Sequence, residues 1–179
     1  MVRYSKEDVL NEHERMQLIN ACKNDKERFV IQVLLYTGMR AGEFCAMKQS
    51  WIDWQKEVIH IPRFDGDWKP KTSSGAREIP LMFEAKRKLY DFFQKKNEIG
   101  MNRVTVFRIV RRVGNRLKPF KKVYPHALRA TFASMMAERS MNPADIQSIM
   151  GWAKLETANN YVRSTMALKN FKDRMGGAK

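Results

Sequence analysis

The spacing of apolar residues changes twice along the chain, and this change constrains the fold more than any other feature of the sequence. Apolar and polar residues alternate between about residues 51 and 81, which is the pattern of half-buried strands. On both sides of this region, apolar residues recur every three to four positions, as in amphipathic helices. The sequence therefore predicts an α+β fold that is mainly α-helical, with a small three-stranded antiparallel β-meander.

Turn and capping residues divide this pattern into elements. Asp65-Gly66 and the Ser-Ser-Gly segment 73–75 predict turns, so the expected strands are 57–61, 67–71 and 77–80. Asparagine residues at helix starts and glycine residues at helix ends mark several helices. The predicted helices cover residues 12–23, 26–37, 41–47, 82–97, 103–117, 127–139 and 143–150.

The length of 179 residues favours one domain with a C-terminal arm. We expect the domain to cover residues 1–163, with Tyr161 on a short helix, and the arm to cover residues 164–179. In the arm, Leu168, Phe171 and Met175 share one face of a predicted helix.

No apolar run approaches the length of a membrane span, and the N-terminus lacks the apolar core of a signal peptide. We therefore expect a cytoplasmic protein with no membrane partner. Cys22 and Cys45 lie in apolar surroundings without a Cys/His cluster, which predicts core thiols and no metal site.

Positive charge is concentrated in the middle of the chain. The sequence has 34 Lys and Arg against 19 Asp and Glu, and residues 63–122 contain 17 of the former and 6 of the latter. Such an excess favours a polyanionic partner, although a basic stretch can also be only a solvated face. The candidate phosphate contacts are Lys69, Arg77, Lys118, Lys121 and Lys122.

Three segments carry side chains that suit an anionic phosphate. Arg40 lies at a predicted helix N-terminus with Glu43 three residues on, Lys71 lies near a hairpin tip, and His126 and Arg129 share a helical face. Further along the chain come an indole N–H and a phenol hydroxyl, at Trp152 and Tyr161. Together these groups suit nucleophilic attack on a phosphodiester without a metal ion.

Four motifs resemble those of the tyrosine recombinases, also called phage-integrase-type site-specific recombinases. TGMRAGEF resembles the family's TGxRxxEL box, KTSSGAREIPL its hairpin-lysine segment, HALRATFAS its HxLRHTFAS box, and MGWAKLETANNYV its LGHxxxxxTxxYxH segment. The motifs occur in the family order over about residues 37–161. The resemblance implies a tyrosine recombinase catalytic domain, with Glu43 supporting a catalytic set of Arg40, Lys71, His126, Arg129, Trp152 and Tyr161.

This resemblance implies cleavage and rejoining of double-stranded DNA through a 3′-phosphotyrosine, with no cofactor and no metal. It also implies a DNA-associated protein that assembles with other protomers on DNA, as a tetramer in synapsis and a monomer or weak dimer when free. Only about 36 residues precede the first motif, so the family's N-terminal core-binding domain is expected to be absent. The sequence departs from the usual motifs at Ala130, Trp152 and Arg163, where the family more often has histidine.

Several alternatives remain open from the sequence. Arg40 and Arg129 could simply form ion pairs with Glu43 and Glu138. Lys69 is a rival to Lys71, and Tyr124 is a lesser rival nucleophile. The whole chain could instead be a type IB topoisomerase-like relaxing enzyme, or a non-catalytic regulator in which residues 127–139 and 142–150 form a helix-turn-helix.

Overall fold

A computed structural model describes the backbone of residues 9–175 and the side chains of residues 9–165. The described part contains helices with a small antiparallel sheet, which confirms the predicted α+β class. The helices are α1 (Glu12–Asn20), α2 (Asp25–Thr37), α3 (Ala41–Ala46), α4 (Phe83–Phe93), α5 (Arg103–Gly114), α6 (Pro125–Glu138), α7 (Pro143–Met150) and α8 (Leu155–Met175). The strands are β1 (Ile52–Asp53), β2 (Val58–Ile61) and β3 (Arg77–Pro80).

The sheet is a three-stranded meander in the order β1-β2-β3, but one of its strands differs from the prediction. Residues 67–71, predicted to form a strand, form none. The sheet instead contains β1, an edge strand that pairs with β2. After the turn, Asp65 and Trp68 pair across a single bridge, and the ring of Trp68 packs 4.7 Å from that of Trp51. Pro70 then has no N–H with which to continue a ladder.

The register of β2 and β3 determines which side chains face the core. Ile59 lies opposite Ile79, and Ile61 lies opposite Arg77. All three isoleucines are buried, so Arg77 lies on the core-facing side of β3.

Helix α6 is the centre of the fold. Residues 127–137 are all buried, and the helix packs against α2, α7 and α8. A second cluster of buried residues lies between α6, α7 and α8, beside the main core, and includes Tyr161. Polar side chains on α6, such as Arg129, are therefore held inside the protein between these helices.

The C-terminal segment differs from the expected short helix and separate tail. Because residues 155–175 contain no glycine or proline, α8 continues as one helix through Met175. The side chains of Leu168, Phe171 and Met175, on which the predicted arm face depends, lie outside the described residues.

Both cysteines are core thiols as predicted. Cys22 is buried and Cys45 is half-buried, and burial raises the pKa of each thiol to about 11. No helix in the described part of the chain is both long enough and apolar enough to cross a membrane.

Candidate active site

Arg40 and Glu43 form a compact unit at the start of α3. Arg40 is the N-cap residue, and its backbone N–H donates to Glu43 Oε2 at 2.7 Å. Its guanidinium donates to Glu43 Oε1 at 2.7 Å and to the carbonyl oxygen of Gly151 at 3.2 Å. The ion pair that the sequence left as an alternative is therefore present, and it fixes the Arg40 side chain at the entrance to the helix.

Arg77, predicted to contact phosphate, is instead buried within the protein. Its side chain is only 4% exposed, and its two terminal nitrogens donate to both carboxylate oxygens of Glu43 at 3.0 and 2.9 Å. The same guanidinium donates to the carbonyl oxygens of Ile149 at 2.7 Å and Gly75 at 2.8 Å. These buried contacts turn the guanidinium away from solvent and toward Glu43.

Glu43 is buried but remains ionised. Burial alone would raise its pKa, but hydrogen bonds from Arg77, the charges of Arg77 and Arg129, and the backbone N–H of Arg40 lower the pKa to about 2. Because its carboxylate oxygens accept from two guanidinium groups, Glu43 orients both Arg40 and Arg77.

Arg129 reaches the same turn from α6. Its guanidinium donates to the carbonyl oxygens of Gly38 and Met150, at the C-terminal ends of α2 and α7. Arg40 donates to the carbonyl oxygen of the next residue, Gly151, so both arginines bind the C-terminal end of α7. The other member of the ion pair considered for Arg129, Glu138, pairs with Arg15.

Gly151 gives the turn its shape. Its φ of +59° lies in the left-handed region, which favours glycine. A Cβ atom at this position would lie 2.7 Å from Cδ of Arg77 and 2.7 Å from the carbonyl oxygen of Ser74. The turn can therefore pack against both the Lys71 loop and the Arg77 side chain only because residue 151 lacks a side chain.

Trp152 and Tyr161 stack against each other beside Arg129. The ring centroids are 5.3 Å apart with an interplanar angle of 15°, and the guanidinium carbon of Arg129 lies 6.0 Å from the centre of the indole ring. Tyr161 is buried, including its hydroxyl oxygen. The indole of Trp152 therefore contacts both the phenol ring and a guanidinium held by backbone carbonyl oxygens, and the phenol hydroxyl lies in buried surroundings.

His126 and Lys71 lie at the edges of this arrangement. His126 is half-buried in the first turn of α6, one turn before Arg129. Lys71 is exposed in the loop that joins β2 and β3. The base of this loop is attached to the site, because the hydroxyl of Ser74 donates to the carbonyl oxygen of Gly151 at 3.4 Å.

The other basic candidates fall into two groups. Lys69, Lys118 and Lys122 are exposed. Lys121 is instead engaged within the protein, since its ammonium donates to the carbonyl oxygen of Val9 at 2.7 Å and to Glu14 at 2.8 Å.

Sequence reasoning missed the part that Arg77 plays in this network. The signal was present in the period of two along β3, because Arg77 and Ile79 are two residues apart and so face the same side of the strand. The buried acceptor that Arg77 contacts could not be found from the sequence, because Glu43 comes from a separate helix 34 residues earlier. Among the described residues, no group of three or more His, Cys, Asp or Glu side chains could hold a metal ion.

Solved structures share this fold. The chain resembles XerA recombinase with a TM-score of 0.74 and 26% identity, over 93% of this chain and 62% of that one. It resembles the catalytic domain of bacteriophage HP1 integrase with a TM-score of 0.61 and 23% identity, over 87% of this chain and 86% of that one. The fold is therefore that of a tyrosine recombinase catalytic domain.

The sequence profile of the phage integrase family matches residues 8–167. Tyrosine recombinase XerA of Pyrococcus furiosus is 33% identical over 168 residues, which cover 87% of this chain and 57% of the relative. The chain belongs to the phage integrase family, and it spans between 50 and 57% of the length of the three curated relatives compared first.

Proposed function

We propose that this chain is the catalytic domain of a site-specific DNA recombinase, which cleaves and rejoins DNA strands through a 3′-phosphotyrosine at Tyr161. The observation that carries this proposal is the stack of Tyr161 on Trp152, with the guanidinium of Arg129 6.0 Å from the indole. A phenol, an indole and a fixed guanidinium grouped in this way suit attack on an anionic phosphorus centre. Family membership supports the same chemistry.

The first step forms one bond and breaks another. The hydroxyl oxygen of Tyr161 bonds to phosphorus, and the bond from phosphorus to the 5′ oxygen of the next nucleotide breaks. His126 assists removal of the phenol proton or donates to the phosphate, and Lys71 protonates the leaving 5′ oxygen. A 5′-hydroxyl of a second DNA then attacks the phosphotyrosine in reverse, so no ATP is consumed.

The two site arginines stabilise the charge that develops on the phosphate. Arg40 and Arg129 would bind the non-bridging oxygens, because a guanidinium matches two such oxygens better than an ammonium does. Both are held in advance by carbonyl oxygens at the end of α7, which lowers the cost of orienting them during the reaction. Trp152 donates its indole N–H to a non-bridging oxygen.

The Tyr161 hydroxyl must become accessible before it can attack. In the structure this hydroxyl is buried and the phenol ring is stacked on Trp152. Binding of DNA is therefore expected to change the position of the first turns of α8, which carry Tyr161, relative to Trp152.

The basic surface supports DNA as the partner. The net charge is +15, and Lys69, Lys118 and Lys122 are exposed. We propose these three lysines as phosphate contacts, because each exposed ammonium can replace a counterion on the DNA. Such contacts position the protein on DNA without reading its sequence.

A helix-turn-helix regulator fits the structure poorly. In such a protein the second helix would enter the major groove and contact the bases. Here that helix is α7, and its sequence Pro143–Met150 contains no lysine or arginine. A relaxing enzyme of the type IB topoisomerase class would use the same residues as a recombinase. The two are separated by whether the cleaved strand is joined to a second DNA.

We also propose that protomers assemble on DNA through the C-terminal segment. Ser164 donates to the carbonyl oxygen of Tyr161 at 2.9 Å, and the hydroxyls of Thr165 and Ser134 lie 3.4 Å apart. A truncation after Thr165 keeps these contacts and removes residues 166–179. It should leave cleavage intact and weaken assembly, as measured by the mass of the protein–DNA complex; an unchanged mass would contradict the assembly role.

The test of the function is covalent capture on nicked duplex DNA. A library of duplexes with one nick each releases a short strand after cleavage, so the adduct accumulates and can be resolved on a denaturing gel. With EDTA present, the wild-type chain should form an adduct that is lost in Tyr161→Phe and retained in the matched control Tyr124→Phe. An adduct that persists in Tyr161→Phe, or a wild type that binds DNA without forming one, would contradict the proposal.

A further inference from the structure

The guanidinium of Arg77 joins three of the segments that form the candidate site. It holds both carboxylate oxygens of Glu43 on α3, the carbonyl oxygen of Ile149 on α7 and the carbonyl oxygen of Gly75 in the Lys71 loop. With its side chain 4% exposed, it is not available to a substrate that approaches from solvent. Its contacts therefore act on the protein rather than on DNA.

The partners of Arg77 are themselves the partners of the proposed catalytic residues. Glu43 accepts from the guanidinium and the backbone N–H of Arg40. The turn that follows Ile149 carries Gly151, whose carbonyl oxygen accepts from Arg40, and then Trp152. Gly75 closes the loop that carries Lys71. One buried side chain thus connects the supports of three groups.

We propose that Arg77 is a positioning residue for strand cleavage, which sets the direction of Arg40 through Glu43 and holds the Lys71 loop against the turn that bears Trp152. This proposal rests on the cleavage function proposed above. Buried guanidinium–carboxylate pairs with two parallel hydrogen bonds fix geometry as well as charge, which is what such a role requires. A displacement of about 1 Å in a catalytic group can cost on the order of 100-fold in rate.

The charged groups that face Glu43 come from three elements. They are Arg40 at the start of α3, Arg77 on β3 and Arg129 on α6. Burial opposes ionisation of Glu43, and the hydrogen bond and charge of Arg77 are the largest contributions in its favour. Removal of the Arg77 guanidinium should therefore raise the pKa of Glu43, so that Glu43 is protonated at a higher pH than in the wild type and its hold on Arg40 is weakened there.

The protein contains a matched control for loss of a buried ion pair. Arg116 donates to both carboxylate oxygens of Glu27, at 2.6 and 3.0 Å, and Glu27 is 3% exposed, as is Glu43. This pair joins the turn after α5 to α2 and shares no residue with the site. Arg116→Met therefore removes a guanidinium–carboxylate pair with two hydrogen bonds, although at an arginine that is 24% exposed against 4% for Arg77, without acting on Arg40.

The experiment compares single-turnover cleavage by the full chain from pH 5 to pH 9 for Arg77→Met, Arg77→Lys, Glu43→Gln, the double variant Arg77→Met/Glu43→Gln and Arg116→Met. The substrate is a nicked duplex that the wild type cleaves, and circular dichroism establishes that each variant is folded at the assay temperature. We expect Arg77→Met to cleave about 100-fold more slowly at neutral pH. Its deficit relative to the wild type should grow as pH falls.

The other variants identify the route of the effect. The double variant should be about as slow as the slower single variant, because both changes break one connection, and it should lose the added pH dependence. Arg77→Lys should recover part of the rate, and Arg116→Met should cleave at the wild-type rate. These results support the proposal.

A wild-type rate in Arg77→Met would overturn the proposal, as would equal losses in Arg77→Met and Arg116→Met. The proposal would also be overturned if the rate of Arg77→Met were lowered by the same factor at every pH and the loss in the double variant were the product of the losses in Arg77→Met and Glu43→Gln. The covalent adduct formed by the wild type tests the cleavage function separately from the role of Arg77. An adduct that depends on Tyr161 establishes cleavage, so a normal Arg77→Met then rejects only the positioning role; without any adduct, both proposals fail.

Discussion

The indole of Trp152 lies nearly parallel to the phenol ring of Tyr161, at 15° and with ring centroids 5.3 Å apart. Offset stacking at this distance is favourable, and it couples the candidate donor directly to the candidate nucleophile. A substitution at position 152 therefore acts on two properties, namely the placement of Tyr161 and the N–H available to a phosphate oxygen.

These two properties can be separated by substitution. Trp152→Phe keeps an aromatic ring against Tyr161 and removes the N–H, whereas Trp152→His keeps a donor in a smaller ring. Loss of one such donor typically costs about 100- to 1,000-fold in rate, so Trp152→Phe should slow cleavage by about this factor. Trp152→His should cleave faster than Trp152→Phe in single-turnover assays with saturating protein; the reverse order would reject the donor role.

Substitution of Gly151 can be compared with a control glycine that has nearly the same positive φ. Gly151 has φ +59° and Gly66 has φ +60°, but a Cβ would meet Arg77 and Ser74 at the first position and nothing within 4 Å at the second. Gly66→Ala should cost about 1 to 2 kcal/mol of the free energy of unfolding, from backbone strain alone. Gly151→Ala should cost more, because the clash adds to that strain.

The two glycine substitutions should also differ in activity. In Gly151→Ala, the carbonyl oxygen that holds Arg40 is displaced, so cleavage should fall even where urea titration shows the protein to be folded. Gly66→Ala should leave the cleavage rate within a few-fold of the wild type. Equal unfolding free energies for the two variants would show that the close packing around Gly151 has no energetic consequence.

Local patterns predicted much of the fold, and long-range contacts account for what they missed. The ends of α2 and α7 followed from Gly38 and Gly151, which have the left-handed conformation that glycine allows. The strand expected over 67–71 failed because Trp68 turns back to pack on Trp51, which is a tertiary contact that periodicity does not encode. The predicted helix over 12–23 similarly ended early, at Asn20.

The same distinction applies to the candidate site. The sequence identified the arginines and Tyr161 from their motifs, and the structure brings Arg129, Trp152 and Tyr161 together. The sequence did not reveal that Arg77 is buried on Glu43, because charge alone does not distinguish an exposed arginine from a paired one.

The lysines of the loop between α5 and α6 give a prediction about DNA binding. Lys118 and Lys122 are exposed, and if each contacts a phosphate, its replacement by alanine should reduce the slope of log affinity against log salt by about 0.9. Lys121→Ala should leave this slope unchanged and lower the free energy of unfolding, because Lys121 holds Val9 and Glu14. Titrations of DNA at several salt concentrations measure the slopes, and equal slopes for all three variants and the wild type would reject the assignment.

The role of Lys71 can be tested by changing the leaving group. A lysine that protonates the 5′ oxygen is needed only while the leaving group is a poor one, and a thiol, with an ordinary pKa of about 8.5, leaves without a proton. Lys71→Ala should therefore slow cleavage of ordinary DNA by about 100- to 10,000-fold and cleave DNA with a 5′-bridging sulfur almost as fast as the wild type. Lys69→Ala is the matched control, because Lys69 is exposed in the same loop, and it should show no selective recovery with sulfur. Recovery in Lys69→Ala instead of Lys71→Ala would assign the proton donor to Lys69, and recovery in neither would mean that the loop lysines bind DNA without transferring a proton.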